Sequence, residues 1–251
     1  LRYHAGPMEE LCYRKSIEKL IEMGYSEELR SFTYHPQRAM RGLLIDKERG
    51  NLLQINRHRH VGAAYHGYRS LDKEERKQVY RLDPMKFSVV KKGELRPLEQ
   101  GYRKFRMIDS LFGVPEACLF CDLVEWLDQE TSKGPIDYLK LYNDVRLSMD
   151  NAHIDGLIRE EILSDVNRYL VFDPEIALVL ERFRASGKKL FLLTNSDWDY
   201  TKQTMSFLLD NQLKNHGDWS DFFDLIIVSA SKPGFFQKDV PFGILNGEGE
   251  V

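Results

Sequence analysis

The sequence predicts an α/β fold made of two regions that differ in the order of their elements. Residues 1–165 combine apolar helical patterns with one run of short strands, which is typical of a mixed α+β region. Residues 166–251 follow a helix, strand, loop, helix, strand order, which is typical of a doubly wound parallel sheet. Neither region contains an internal repeat or a low-complexity segment. We therefore expect two domains, divided after residue 165.

The composition indicates a soluble globular protein. The 251 residues carry a net charge of -3, and 42% of them are apolar. This near-neutral balance argues against a dedicated nucleic-acid binder, and no apolar run approaches the ~20 residues of a membrane helix. No secretory leader is visible, and 3 cysteines are too few for a disulfide framework. We therefore expect a cytoplasmic protein with neither nucleic acid nor membrane as a partner.

The first region opens with a helix and a hairpin. Apolar side chains at helical spacing predict an amphipathic helix over residues 8–23, which Gly24 ends. Two apolar runs that flank a turn sequence predict a β-hairpin over residues 41–56. A further short strand is expected over residues 61–65, and an exposed helix over residues 72–81.

Three more helices complete the first region. A densely apolar pattern predicts one over residues 116–128, with Pro115 in its first turn. Others are expected over residues 136–152 and 157–170. The helix over residues 136–152 carries an apolar stripe made of Leu139, Tyr142, Val145 and Met149.

The second region has clear start and stop signals. Asp173 and Pro174 predict a helix start, because a capping acceptor precedes a proline at the first helical position. That helix ends at Gly187, and apolar strands are expected over residues 188–193 and 225–228. A loop at residues 194–197 and a further helix separate the two strands.

Polar residues follow both strands at their carboxyl ends, where open parallel sheets bind ligands. Thr194 and Asn195 can donate hydrogen bonds to a phosphate, and their loop opens a helix whose N–H groups favour an anion. Lys232 follows the second strand and can neutralise phosphate charge. The alternative interpretation is a capped helix start beside a solvated lysine.

A second candidate site lies on the helix over residues 136–152 and just beyond it. Arg146, Asp150 and His153 are spaced i, i+4, i+7 and so share one helical face, and Arg159 follows soon after. Together these side chains could hold a purine base and a phosphate. The alternative is an i,i+4 salt bridge on a solvated face.

Two short motifs imitate known catalytic or metal sites. Asp197, Asp199 and Thr201 have the D-x-D-x-T spacing of a phosphotransferase nucleophile, but three residues separate Asp197 from its strand, which favours a helix cap. Cys118 and Cys121 have C-x-x-C spacing within an apolar helix. Since Cys12 is the third and last cysteine, buried core cysteines are favoured over a zinc site.

Basic and imidazole side chains alternate over residues 57–60 (RHRH), directly after a strand. A nucleic-acid patch or a metal site would use such residues. A solvated hairpin edge is the favoured interpretation.

Several motifs together resemble the cytosolic purine 5'-nucleotidase family of the haloacid dehalogenase (HAD) superfamily. The resemblance covers most of the chain, and the motifs occur in the family's order. They are residues 191–197 (FLLTNSD) with Tyr200 and Thr201, 231–236 (SKPGFF), 41–46 (RGLLID), 50–53 (GNLL), 110–116 (SLFGVPE), 144–146 (DVR) and His153.

The resemblance implies a HAD-like Rossmann-type sheet with a cap-like insertion, and hydrolysis of purine nucleoside monophosphates such as IMP and GMP with Mg²⁺. It also implies an aspartate nucleophile that forms an aspartyl-phosphate. Thr194 and Asn195 would bind the transferring phosphate, and Lys232 would neutralise charge. Phe112 would stack on the base. The other implied nucleotide contacts are Arg146, Asp150, His153 and Arg159.

The sequence departs from the family pattern at four points. Gly113 replaces an asparagine, which bears on base preference, and Arg159 replaces a lysine, which keeps the charge. The family's Asp-Met-Asp-x-Thr-Leu motif would come just before Leu1, and its Mg²⁺-binding Gly-Asp-x-x-x-x-Asp motif after residue 251. We therefore expect a fragment that lacks nucleophile, general acid/base and metal ligands, and that has no turnover of its own.

Two alternatives to this function remain. The first is a non-catalytic relative that binds a nucleotide or a protein partner. The second is a HAD phosphatase for another phosphorylated metabolite. Members of the family often form homo-oligomers, so a second copy of the chain is also among the expected partners.

Overall fold

The computed structural model describes residues 1–58, 60–80, 104–130, 134–213 and 217–244. The chain divides into two compact units. The larger unit is Ala5–Ile158, and the smaller unit joins Leu1–His4 to Arg159–Val251. The division thus falls before the one predicted after residue 165, and the first four residues belong with the second part of the chain.

The helices of the larger unit agree with the sequence patterns. They are α1 (Ala5–Glu22), α2 (Lys73–Tyr80), α3 (Gly113–Gln129) and α4 (Tyr138–Ile154), with a 3-10 turn at Glu27–Ser31. Gly24, which has a φ of 98°, follows α1 as expected of a helix-ending glycine. Helix α2 buries none of its side chains, and this confirms the exposed helix.

One antiparallel sheet of the larger unit joins five strands in the order β4-β3-β2-β1-β5. The strands are β1 (Leu44–Asp46), β2 (Asn51–Ile55), β3 (Val61–His66), β4 (Arg69–Ser70) and β5 (Phe105–Met107). Strands β1 and β2 form the predicted hairpin, with Ile45 opposite Leu52. Gly50 precedes β2 with a φ of 67°, in the left-handed region that tight turns use.

Helices α1, α3 and α4 enclose the core of the larger unit together with β1 and β2. Tyr142, Val145 and Met149 of the predicted stripe are buried. Leu139 was wrongly assigned to that stripe, because it is 37% exposed in the first turn of α4. Helical spacing alone does not show where a stripe leaves the core.

The predicted helix over residues 157–170 is two helices, α5 (Leu157–Ser164) and α6 (Val166–Tyr169). Asp165 lies between them with non-helical backbone, and its side chain accepts a hydrogen bond from the Arg168 amide. This aspartate caps α6 and so ends the continuous pattern. The remaining helices are α7 (Glu175–Ala185) and α8 (Trp198–Leu209).

Two short strands of the smaller unit pair in parallel. They are β6 (Phe191–Leu193) and β7 (Leu225–Ile227), with Leu192 opposite Ile226. Both are shorter than their apolar runs. Asp224 fixes the start of the pair, since its carboxylate accepts from the Leu190 amide at 2.8 Å. The α/β class is therefore correct, and the complete doubly wound sheet stays a prediction.

Within the described ranges, no helix is both long enough and apolar enough to cross a membrane.

Candidate functional site

The loops after β6 and β7 are joined by backbone hydrogen bonds at the carboxyl ends of the two strands. Thr194 N–H donates to Ile227 O at 2.9 Å, and Ala230 N–H donates to Thr194 O at 2.9 Å. Ser229 N–H donates to Ser196 O at 2.8 Å. These bonds extend the parallel pairing beyond the strands, so polar residues from both loops converge at this edge.

Asn195 and Lys232 bond to each other twice across these loops. The Asn195 Oδ1 atom accepts from Lys232 N at 2.7 Å, and Asn195 Nδ2 donates to Lys232 O at 3.1 Å. The Lys232 ammonium donates to Leu193 O, the last carbonyl of β6, at 2.7 Å. The two loops thus bring Asn195 and Lys232 into direct contact.

Thr194 lies beside this pair, and its Oγ1 atom accepts from Ser196 N at 3.1 Å. The second loop contains Ser229 and Ser231 at φ values of 50° and 55°. Non-glycine residues adopt this left-handed backbone rarely, and such residues cluster at functional sites. We call Thr194, Asn195 and Lys232 the strand-end cluster.

Arg159 forms a salt bridge with Asp197 at the start of α8. Both side chains belong to the smaller unit, and they are 35% and 46% exposed. Asp197 also caps α8, because its Oδ1 atom accepts from Tyr200 N at 2.9 Å. Helix capping thus explains Asp197, as predicted, and Arg159 brings a guanidinium to the same helix start.

The larger unit holds a second group of predicted residues on α4. Arg146 binds Asp150 through two hydrogen bonds, Nε to Oδ2 at 3.1 Å and Nη2 to Oδ1 at 2.6 Å. Its Nη1 atom donates to Glu116 Oε2 at 2.9 Å. The i,i+4 salt bridge is therefore present, and it is also anchored to α3.

His153 and Phe112 pack together near the end of α4. Their ring centroids lie 5.1 Å apart at 84°, an edge-to-face contact. His153 Nδ1 is 2.7 Å from Met149 O, which fixes the imidazole on its own helix. We call Phe112, Arg146, Asp150 and His153 the α4 cluster.

Comparisons with known proteins agree with the motifs. The 5' nucleotidase family model matches residues 1–250. The chain belongs to the 5' nucleotidase family. A 5'-nucleotidase domain-containing protein of Dictyostelium discoideum is 32% identical over 247 residues. That match covers 96% of this chain and 39% of the relative's own length.

Glu116 of this 5' nucleotidase family member is a buried carboxylate beside the α4 cluster, and the sequence analysis did not assign it to a site. Glu116 is 1% exposed in the first turn of α3, and its Oε1 atom accepts from Tyr142 OH at 2.6 Å. Burial and the adjacent Glu116 carboxylate raise the pKa of Tyr142. An acidic residue directly before the apolar run at residues 117–121 is the signal that could have revealed it.

The cysteines of this family member are core residues. Cys12, Cys118 and Cys121 are buried and free, which confirms the structural interpretation. Burial raises the pKa of Cys12 and Cys118 to about 12, so their thiols stay protonated and unreactive at neutral pH.

The basic run at residues 57–60 joins β2 to β3. Arg57 and His58 are exposed, and Asn56 Oδ1 accepts from the amides of His58 and His60. This geometry is a solvated hairpin turn, as expected. Arg59 lies outside the described residues.

The strand-end cluster offers a hydroxyl, a carboxamide and an ammonium, whereas Mg²⁺ prefers carboxylate ligands. Asp197 nearby is engaged by Arg159 and by the Tyr200 amide of α8. Within the residues that the structure describes, no group of three or more His, Cys, Asp or Glu side chains is arranged to hold a metal ion. These residues therefore do not by themselves fit a magnesium ion.

Proposed function

We propose that this chain binds the phosphate of a purine nucleoside monophosphate at the strand-end cluster, as part of a HAD-type 5'-nucleotidase. The observation that carries the proposal is the double hydrogen bond between Asn195 and Lys232, at the carboxyl ends of two parallel strands. The family membership supports it. IMP and GMP are the proposed substrates of the whole protein.

In this proposal each residue of the strand-end cluster has a separate task. The Thr194 hydroxyl and the Asn195 amide donate to phosphate oxygens. Lys232 supplies a positive charge near the phosphate, where charge builds up in the transition state. Its ammonium is already held by Leu193 O at 2.7 Å, so little further ordering is needed.

The α4 cluster is the proposed contact for the nucleoside. Phe112 offers an aromatic face for stacking on the base. Arg146, Asp150 and His153 offer donors and acceptors for its edge. Arg159, which pairs with Asp197, is proposed to contact the nucleotide as well.

The chemistry needs groups beyond these clusters. We propose that an aspartate outside the 251 residues attacks phosphorus and forms an aspartyl-phosphate, and that Mg²⁺ ligands also lie outside them. The chain spans 39% of the length of the relative that it matches. A cytoplasmic location belongs to the same proposal and rests on composition alone.

An activity assay tests the proposal that the nucleophile lies outside the 251 residues. The purified 251-residue chain is incubated with IMP and Mg²⁺ beside its Lys232→Ala variant. We expect no phosphate release from either. Release by the unaltered chain above that of Lys232→Ala would contradict the proposal and would assign the nucleophile to Asp197 or Asp199.

A longer protein that includes the flanking segments tests the substrate class. We expect it to hydrolyse IMP faster than sugar phosphates, because the α4 cluster contacts a base. Equal rates would favour a phosphatase for another metabolite. Binding of IMP without hydrolysis would favour a non-catalytic relative.

A further inference from the structure

A cavity of about 230 Å³ in the larger unit has a strongly cationic lining. Five side chains line it: Lys47, Phe105, Arg106, Tyr142 and Arg146. Three of the five are cations and none is an acid. We call this cavity the Lys47 pocket. Its volume suits a small polar group rather than a whole nucleotide.

Among the residues that the structure describes, the acidic groups near the Lys47 pocket are already bonded. Glu116 accepts from Tyr142 OH at 2.6 Å and from Arg146 at 2.9 Å, and it also forms a salt bridge with Arg106, whose Nε atom lies 4.0 Å from Oε1. Asp150 is engaged by Arg146. Glu48 lies near Lys47 and forms a salt bridge with Lys104. Three cations therefore line the pocket, and Glu116, which is not among its lining residues, pairs with two of them, Arg106 and Arg146.

Lys47 is the lysine of this pocket, and burial is the main cause that disfavours its charged form. Burial lowers its pKa, and Arg106 lowers it further, while Glu116 and Glu48 act in the opposite direction. Its ammonium lies 5.2 Å from the centre of the Tyr142 ring. An anion between Lys47 and Arg106 would relieve their mutual repulsion, because opposite charges favour the protonated form.

We propose that the Lys47 pocket is an oxyanion subsite, which takes a phosphate or carboxylate group between Lys47, Arg106 and Arg146. The Arg106 guanidinium supplies a planar pair of donors and the Lys47 ammonium supplies a point charge, while Arg146, whose Nε, Nη1 and Nη2 atoms already bond to Asp150 and Glu116, adds positive charge. The subsite goes beyond the proposed function and shares only Arg146 with it. Its ligand is a small anion or an anionic group on a larger molecule.

An NMR titration of the 251-residue chain with inorganic phosphate tests the subsite. We expect the backbone amides of Lys47 and Arg106 to shift on addition of phosphate. In a Lys47→Met, Arg106→Met double variant the affinity at this site should fall at least about tenfold, since two charge-assisted contacts are lost. The single variant Lys47→Met gives the same direction with a smaller loss, should the double variant not fold.

Lys140→Met is the matched control. Lys140 is an exposed α4 lysine that pairs with Asp144 and does not line the pocket. It should leave the phosphate-induced shifts unchanged. Unshifted Lys47 and Arg106 amides in the unaltered chain, or shifts that persist in the double variant, would overturn the proposal.

Three further titrations separate the sources of the signal. Succinate in place of phosphate tests carboxylate binding, and shifts with either anion support the subsite. Lys232→Met should retain the shifts at Lys47, because it alters only the strand-end cluster; their loss would overturn the subsite. Inosine has no phosphate, so the same shifts with inosine would assign the pocket to a base instead. If the proposed function is wrong, the Thr194 and Lys232 amides will not shift on addition of phosphate, and this result is independent of the shifts at Lys47.

Discussion

The two units of the chain hold their polar groups in different ways. In the larger unit the carboxylates of Glu116 and Asp122 are buried, and tyrosine hydroxyls and arginines bond to them. In the smaller unit the strand-end cluster is only partly buried, and backbone groups hold it. In the larger unit these polar contacts thus stabilise the packed core, whereas in the smaller unit the polar groups of the strand-end cluster are partly exposed to solvent.

The apolar cores differ in the same direction. Among the described residues, the main cluster of the larger unit contains 19 buried residues, and that of the smaller unit contains 5. Strand β1 buries Ile45 to 1% exposure, whereas Phe191 of β6 and Leu225 of β7 are 65% and 54% exposed. Strands of parallel sheets are usually covered on both faces. We therefore expect the larger unit to be the more stable one.

The largest expected effect is the loss of an aromatic side chain from the larger core. Phe120 is 1% exposed and packs edge-to-face on Tyr142 at 5.6 Å. Phe120→Ala should lower the free energy of unfolding of the larger unit by about 3–5 kcal/mol. Phe183→Ala is the control in the smaller unit, where the side chain is 49% exposed, and should cost about 0.5 kcal/mol or less. Urea unfolding measures both, and equal losses would contradict the comparison.

Alkaline pH should also separate the two units. Burial is the main cause that raises the pKa of seven described tyrosines in the larger unit and of one in the smaller unit. They are Tyr13, Tyr25, Tyr34, Tyr68, Tyr80, Tyr138 and Tyr142, and in the smaller unit Tyr200.

A tyrosine whose pKa is raised on folding stabilises the protein fully below the unfolded pKa, which is 10.0. Above that pH the unfolded chain loses the proton while the folded chain keeps it, so stability falls as the pH rises. Tyr13 and Tyr142 are nearly fully buried. Above the unfolded pKa, each of them should lower the free energy of unfolding by about 1.4 kcal/mol per pH unit.

Urea unfolding of the larger unit between about pH 9 and pH 11 measures this slope. Tyr142→Phe should reduce the slope of the free energy of unfolding against pH by the contribution of one tyrosine. The slope for the smaller unit should be less steep than that for the larger unit. Equal slopes for the two units would contradict the assignment.

Strong local patterns made most of the elements predictable. The hairpin at β1 and β2 follows from alternation around a turn, and the Asp197 cap follows from its position after a strand. The break at Asp165 and the exposure of Leu139 were missed, because both depend on what surrounds the helix. Local propensity does not contain that information.

The strand-end cluster was predictable because parallel strands bring their carboxyl ends together. The role of Glu116 was not, since its partners Tyr142 and Arg146 lie on another helix 26 and 30 residues away. The Lys47 pocket was missed for the same reason, because its lining comes from distant segments.

The smallest effect concerns the start of α8 in the smaller unit. Asp197→Ala removes the cap and the ion pair with Arg159, and should cost about 1 kcal/mol. Both side chains of the pair are substantially exposed, so most of this loss comes from the cap. Asp199→Ala alters an exposed first-turn acid and should cost about 0.3 kcal/mol. Thermal unfolding compares the two, and equal losses would contradict the capping role.

Binding of IMP to the 251-residue chain tests the central claim most directly. Titration calorimetry should give weak binding that Lys232→Met reduces at least about tenfold, because the ammonium contact with phosphate is lost. Lys202→Met, which removes an exposed lysine of α8, is the matched control and should bind like the unaltered chain. Equal affinity for IMP in Lys232→Met and Lys202→Met would contradict phosphate binding at the strand-end cluster.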